Sequence, residues 1–160
     1  MKISKKLNDA INSQIGEELF ASNGYANMAA FFDTLGLSRL SAMYFAQSEE
    51  ERQHAMKFIR FLMEVEGEVA IPAIEGTPST FESVKAALES AMTWEKDVTA
   101  RINNLMDMAI DEKDYATQDF LRWFVTEQVE EEANVSHLLT LVEALGDRPI
   151  ISLENLLPQK

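Results

Sequence analysis

Glu51 and His54 stand three residues apart in the stretch Glu49-Glu50-Glu51-Arg52-Gln53-His54. On a helix that spacing projects both side chains from neighbouring points of one face. A carboxylate oxygen and an imidazole nitrogen offered side by side make half a site for a divalent transition metal. Glu-x-x-His alone is a weak pattern, and most such pairs are surface residues. Its setting makes this one informative. Tyr44, Glu51, Ala55, Phe58, Leu62 and Val65 follow helical spacing, so the carboxylate interrupts an otherwise apolar stripe. An unpaired buried carboxylate costs several kcal/mol, and a glutamate in that position needs a partner.

Three more stripes carry the same interruption. Glu18 falls among Leu7, Ile11, Ile15, Tyr25, Ala29 and Phe32. Glu95 falls among Val84, Leu88, Ala91, Val98, Ile102, Leu105 and Ala109. Gln128 and Glu131 fall among Leu121, Phe124, Val135, Leu138, Val142 and Leu145. Each glutamate lies near the middle of its segment, and a midpoint keeps its height whichever way a helix runs. In a four-helix bundle the four carboxylates therefore meet in one layer. Unneutralised, they would repel one another and be forced to protonate. Two divalent ions bring four positive charges and balance them. Oxygen ligands with a single imidazole suit iron or manganese better than structural zinc. The competing reading is a bundle whose polar residues reach out to water; four interruptions in register argue against it.

The elements that must hold this layer are helices, and the expected fold is all-α, a four-helix bundle. The first helix is expected from about Ser4 to Phe32 and is broken at Leu35-Gly36. The second runs from Ser38, as its N-cap, to about Glu66 and stops at Gly67. Glu68 to Pro78 contains Pro72, Gly76 and Pro78 and cannot be helical throughout. Extended, those residues reach roughly 36 Å, against about 42 Å for a helix of the second segment's length. That is enough for a long crossover that leaves the third helix parallel to the second. Ser79-Thr80-Phe81-Glu82 reads as a capping box starting the third helix. Asp114 is expected to cap the fourth, which ends at Gly146 with Pro149 beyond. A short helix is expected from Ser152 to Leu157. The whole chain, 1–160, reads as one domain, with the bundle at about 4–146 and a short C-terminal segment at 147–160.

The chain has 160 residues, 27 acidic against 14 basic, a net charge of −13 and no cysteine. The acidity disfavours nucleic acid and anionic membranes as partners and favours cations. The missing cysteines exclude thiolate metal sites and disulfides, in keeping with a reducing compartment. No apolar run approaches the roughly 18 residues of a membrane span, and the N-terminus shows no apolar signal core. A cytoplasmic location is the expectation. Glycine-rich phosphate loops and nucleophile elbows are absent.

Taken together, Glu18 within Gln14-Ile15-Gly16-Glu17-Glu18-Leu19, Glu51-Arg52-Gln53-His54, Glu95 after Trp94, and Trp123-Phe124-Val125-Thr126-Glu127-Gln128-Val129-Glu130-Glu131-Glu132 resemble a non-haem ferritin of the bacterial type. The resemblance covers essentially the whole length, and its Glu plus Glu-x-x-His signature is a property known of that di-iron family. It implies one iron held by Glu18, Glu51 and His54, and a second held by Glu95 and Glu131 with Glu51 bridging. It implies that Gln128 sits over the open side, and that Tyr25 is the tyrosine able to donate an electron. A third iron would use Glu50, Glu127 and Glu130, with Glu131 shared. Where bacterioferritins and rubrerythrins repeat Glu-x-x-His on the fourth helix, this chain has Gln128-x-x-Glu131. Where bacterioferritins hold haem with a methionine after the second-helix glutamate, it has Arg52, so no haem is expected. The usual fifth helix is in doubt because the C-terminal segment is short and interrupted by Pro149.

The function so implied is iron storage with ferroxidase activity: Fe(II) is oxidised by dioxygen or peroxide and deposited as ferric mineral inside a homo-oligomeric cage of 24 copies. Two alternatives stand beside it. One is a di-iron protein whose task is removal of oxygen or peroxide, with storage secondary. The other is a metal-binding or purely structural bundle without turnover. His137 reads as a surface or packing histidine, and Trp94 and Trp123 as flanking the ligand layer.

Overall fold

The computed structural model describes residues 2–158, so Met1, Gln159 and Lys160 of the expected domain lie outside the described residues. Four helices dominate: α1 (Lys5–Thr34), α2 (Ser38–Glu64), α3 (Val84–Asp111) and α4 (Tyr115–Leu145). A short 3-10 helix, Ile150–Asn155, follows. Among the described residues there are no strands. Every expected stripe residue is buried except Val142, which is half-buried. Each helix gains its stability by turning that stripe inward.

The core is in two parts. One cluster holds Leu7, Ile11 and Ile15 of α1, Phe58 and Leu62 of α2, Ile102 of α3, and Leu121 and Phe124 of α4. The other holds Tyr25 and Phe32, Leu40 and Tyr44, Leu88 and Ala91, and Val135 and Leu138. Read along the chain, α1 and α4 run from the first cluster to the second, whereas α2 and α3 run from the second to the first. The third helix is therefore parallel to the second, and 65–83 must return the length of the bundle. That crossover lies along α1. Asn8 and Asn12 donate to the carbonyl of Glu68 at 3.1 and 2.7 Å and accept from the backbone amides of Glu68 and Ala70, both at 2.8 Å. At the other end Asn27 donates to Thr77 Oγ1 at 2.8 Å. From Asn8 to Asn27 a helix rises about 28 Å, and Glu68 to Thr77 fully extended covers about 30 Å. The crossover is thus nearly taut. It comes so close at Gly16 that an added Cβ would stand 2.5 Å from Pro72 Cγ.

The helix ends depart from expectation in instructive ways. The third helix starts at Val84 with Ser83, not Ser79, as its N-cap; Ser83 Oγ accepts from the amide of Ala86 at 3.0 Å. Phe81, outside the helix, packs against Phe31 with ring centroids 5.3 Å apart. Ser38 is inside α2, and the cap residue Leu37 offers no side-chain acceptor. The acceptor comes from the C-terminal 3-10 helix: the Glu154 carboxylate takes the amides of Arg39 and Leu40 at 2.8 and 3.2 Å. The Arg39 guanidinium returns bonds to the carbonyls of Glu154, Leu157 and Pro158. The C-terminal 3-10 helix spans Ile150–Asn155, two residues ahead of the expected Ser152–Leu157. Ser4 and Asp114 cap α1 and α4 through their side chains, accepting from Leu7 and Thr117.

Candidate metal centre

The two apolar clusters are separated by a polar layer. Glu18, Glu51, His54, Glu95, Gln128 and Glu131 are all buried, none more than 4 % exposed. Each of the four glutamates lies within a turn of the middle of its helix, so helix length alone puts them at one height. Three groups in this layer offer ligand atoms that all lie within 4.8 Å of one another: Glu18, Glu51 and His54; Glu51, Glu95 and Glu131; and His54, Glu127 and Glu131. Ligand bonds of about 2.1 Å place ligand atoms up to about 4 Å apart, so small rotations would close any of these around one ion. Two of the groups share Glu51. A carboxylate has two oxygens, which is what a ligand bridging two ions requires.

The ligand atoms crowd together. His54 Nδ1 stands 3.1 Å from Glu51 Oε2 and 3.8 Å from Glu18 Oε2, and its Nε2 stands 3.8 Å from Glu127 Oε1. Glu18 Oε2 is buried with no hydrogen-bond partner. An orphaned carboxylate oxygen in the interior fits a centre whose missing partner is an ion. Tyr25 donates its hydroxyl to Glu95 Oε1. Gln128 Nε2 donates to Glu95 Oε2 at 3.1 Å and to the Glu95 carbonyl at 3.2 Å.

The electrostatics follow from crowding. Burial, then the charge of Glu51, pushes Glu18 well above the usual carboxylate range. The same two causes raise Glu95 to about 7. Burial, with Glu51 and Glu95 beside it, raises Glu131 to about 9. Burial pulls His54 down, but its bond to Glu51 and the charges of Glu51, Glu127 and Glu95 outweigh it and raise the ring overall. Burial, then Glu95 and Glu51, raises the Tyr25 hydroxyl well above its ordinary value. All of these shifts mark a layer short of positive charge.

Of the outer glutamates, Glu127 reaches His54 and Glu131, whereas Glu50 and Glu130 are exposed and join none of the three groups. Glu50 instead lines a cavity of about 280 Å³ that opens between α2 and α4 beside Gln47, Asn134 and His137 and reaches Tyr25, Glu95 and Glu131. A larger groove, about 760 Å³, lies under the crossover between α1 and α3. No three-ligand group among the described residues falls in it. Trp94 closes the α1–α3 side of the layer, its ring 5.6 Å from that of Tyr25. Its indole fills the space a side chain at Gly24 would need, 2.8 Å from an added Cβ. Trp123 meets the edge of His54 at 5.4 Å, with Lys57 Nζ 3.7 Å over its face.

Two further amides contact the layer glutamates. Gln14 donates to Glu18 Oε1 at 2.9 Å, and Gln47 donates to Glu51 Oε1 at 2.7 Å and Glu131 Oε2 at 2.9 Å. Both sit four residues before a layer glutamate, the spacing at which helical side chains meet, and that was the available signal.

Residues 8–145 match the family described as Ferritin-like domain. A bacterial non-haem ferritin of Staphylococcus saprophyticus is 37% identical over 145 residues, 91% of this chain and 87% of that protein. One from Bacteroides fragilis is 35% identical over 158 residues, 99% of each. Among solved structures, an open-pore ferritin from the hyperthermophilic archaeon Archaeoglobus fulgidus superposes with a TM-score of 0.94 at 39% identity, covering 98% of both chains.

Proposed function

The chain belongs to the ferritin-like domain family, and from that premise we propose that it is an iron-storage protein of the bacterial non-haem type that oxidises Fe(II) with dioxygen in its mid-bundle layer. The observation that carries this is the pair of three-ligand groups joined by Glu51. Fe(II) is the substrate. One ion is taken by Glu18, Glu51 and His54 Nδ1, and a second by Glu95 and Glu131 with Glu51 between them. Glu127, close to His54 and Glu131, is the residue of the outer set best placed to receive a third; Glu50 and Glu130 would have to swing inward to join it.

Each ferrous ion yields one electron to dioxygen. The protein's contribution is to hold two ions at bridging distance behind apolar walls, with an approach for small reactants along the α2–α4 cavity. Ion entry displaces the protons that crowding forces onto Glu95 and Glu131, so uptake releases protons. Gln128, anchored to Glu95, borders the site where it can hydrogen-bond a water or bound oxygen. Tyr25, bonded to Glu95, is close enough to give up an electron when only one ferrous ion is present. Ferric product then passes to a mineral inside a hollow assembly of 24 copies.

The test is aerobic addition of Fe(II) with an oxygen electrode. Wild type is expected to consume oxygen rapidly, and Glu51→Ala and His54→Ala to lose most of the rate, by about 10-fold or more, since even the outer partners of metal ligands are worth roughly 10- to 100-fold. Unchanged rates in both variants would remove the oxidase claim. Sedimentation to a particle of several hundred kilodaltons supports the cage; a monomer or dimer contradicts it.

A further inference from the structure

Each glutamate of the layer is met by an uncharged amide: Gln14 on Glu18, Gln128 on Glu95, and Gln47 on both Glu51 and Glu131. Gln47 differs from the others because its two acceptors lie on different helices, α2 and α4. One nitrogen carries two protons, and both are used. Gln47 is half-buried and stands in the wall of the α2–α4 cavity, the opening that reaches Glu95 and Glu131.

We propose that Gln47 is a positioning residue of the metal centre, strapping the shared ligand Glu51 to Glu131 across the α2–α4 gap so that the ligand set is assembled before an ion arrives. The proposal rests on the layer being a cation site. A lysine or arginine could hold the two carboxylates more strongly, but its charge would compete with the incoming ion at close range. A neutral amide holds them without that competition. It also leaves ligand electron pairs free, because a carboxylate oxygen carries two and one hydrogen bond uses one. Gln47 takes one pair of Glu51 Oε1, while Glu51 Oε2 faces His54 Nδ1. On Glu131 it occupies Oε2 and leaves Oε1. The strap can therefore persist once ions are bound, fixing the carboxylate planes as outer partners of metal ligands do.

Anaerobic titration of the assembled protein with Co(II) tests this, because its visible absorption reports the ligand set of each ion without oxidation. The variants are Gln47→Met, which keeps the length of the side chain and removes both donors, and Gln14→Met, which removes a donor to Glu18 alone. Wild type is expected to take two Co(II) per chain. Gln47→Met is expected to bind the ion at Glu51, Glu95 and Glu131 roughly 10- to 100-fold more weakly with an altered spectrum, while metal-free melting stays close to wild type. Gln14→Met should spare that ion and weaken only the one at Glu18, Glu51 and His54. Wild-type affinities and spectra in Gln47→Met would overturn the strap. So would an equal loss at both ions accompanied by lower metal-free melting, which is the signature of a merely structural side chain. A wild type that binds no Co(II) would sink the cation-site reading, and the strap with it.

Discussion

Replacing Glu131 by glutamine separates the two things this carboxylate does. Buried beside Glu51 and Glu95, it titrates at about 9 in place of the ordinary 4.5. At pH 8 the metal-free protein therefore folds only by keeping Glu131 protonated, whereas the unfolded chain leaves it ionised. At 1.36 kcal/mol per pH unit, the interval from 4.5 to 8 corresponds to roughly 5 kcal/mol of lost stability. Neighbouring carboxylates share that penalty and relax when one is removed, so Glu131→Gln is expected to gain roughly 2–4 kcal/mol. For a chain of this size that raises metal-free melting by roughly 5–15 °C. Zn(II) should close most of that gap. An ion at one hundred times its dissociation constant adds about 2.7 kcal/mol at each site it fills in the folded form. Wild type gains at two sites, and the variant gains fully only at Glu18, Glu51 and His54. Calorimetry of both proteins with and without Zn(II) reads this directly. A variant that melts at or below wild type without metal would refute the reasoning. So would one that gains as much from Zn(II) as wild type does.

The same crowding sets a pH dependence. Glu18, Glu95 and Glu131 all titrate higher in the folded chain than in the unfolded one, so the folded state holds more protons and stability falls as pH rises. Metal-free melting should therefore decline from about pH 5 through about pH 9, while Zn(II) affinity climbs across the same interval as protons leave. Calorimetry and binding titrations at stepped pH check it, and metal-free melting that rises from pH 5 to 9 would contradict it. At the wall of the layer, Gly24→Leu should drive Trp94 from its slot against Tyr25, at a cost of roughly 1–3 kcal/mol and with a shift in tryptophan emission. Gly76→Ala, which meets nothing within 4 Å, serves as the neutral control.

The parts of this fold that could be read in the sequence are those set by periodicity. Stripes recurring every three or four residues reveal the helices, and a glutamate breaking each stripe at mid-length reveals the layer, because burial and height both follow from the repeat. Contacts made over long separations could not be read. The acceptor that starts α2 is Glu154, more than a hundred residues away, so a local search settles on Ser38. Ser79 and Ser83 are both credible caps, and the structure uses the second, with Phe81 packed on Phe31 between them. The approach of Glu127 to His54, and the exposure of Glu50 and Glu130, depend on how α4 is rotated against α2. Gln14 and Gln47 were legible in principle, since each precedes its glutamate by four residues, but amides attract no notice in a search for ligands.

In the proposed centre, acidic side chains from all four helices share a pair of ions through Glu51. Anomalous diffraction from a crystal soaked anaerobically in Fe(II) measures that most directly. Two iron peaks are predicted at bridging distance, one against Glu18 and His54, one against Glu95 and Glu131, with Glu51 touching both. Iron found only at the exposed carboxylates of the surface, with this layer empty, would contradict it.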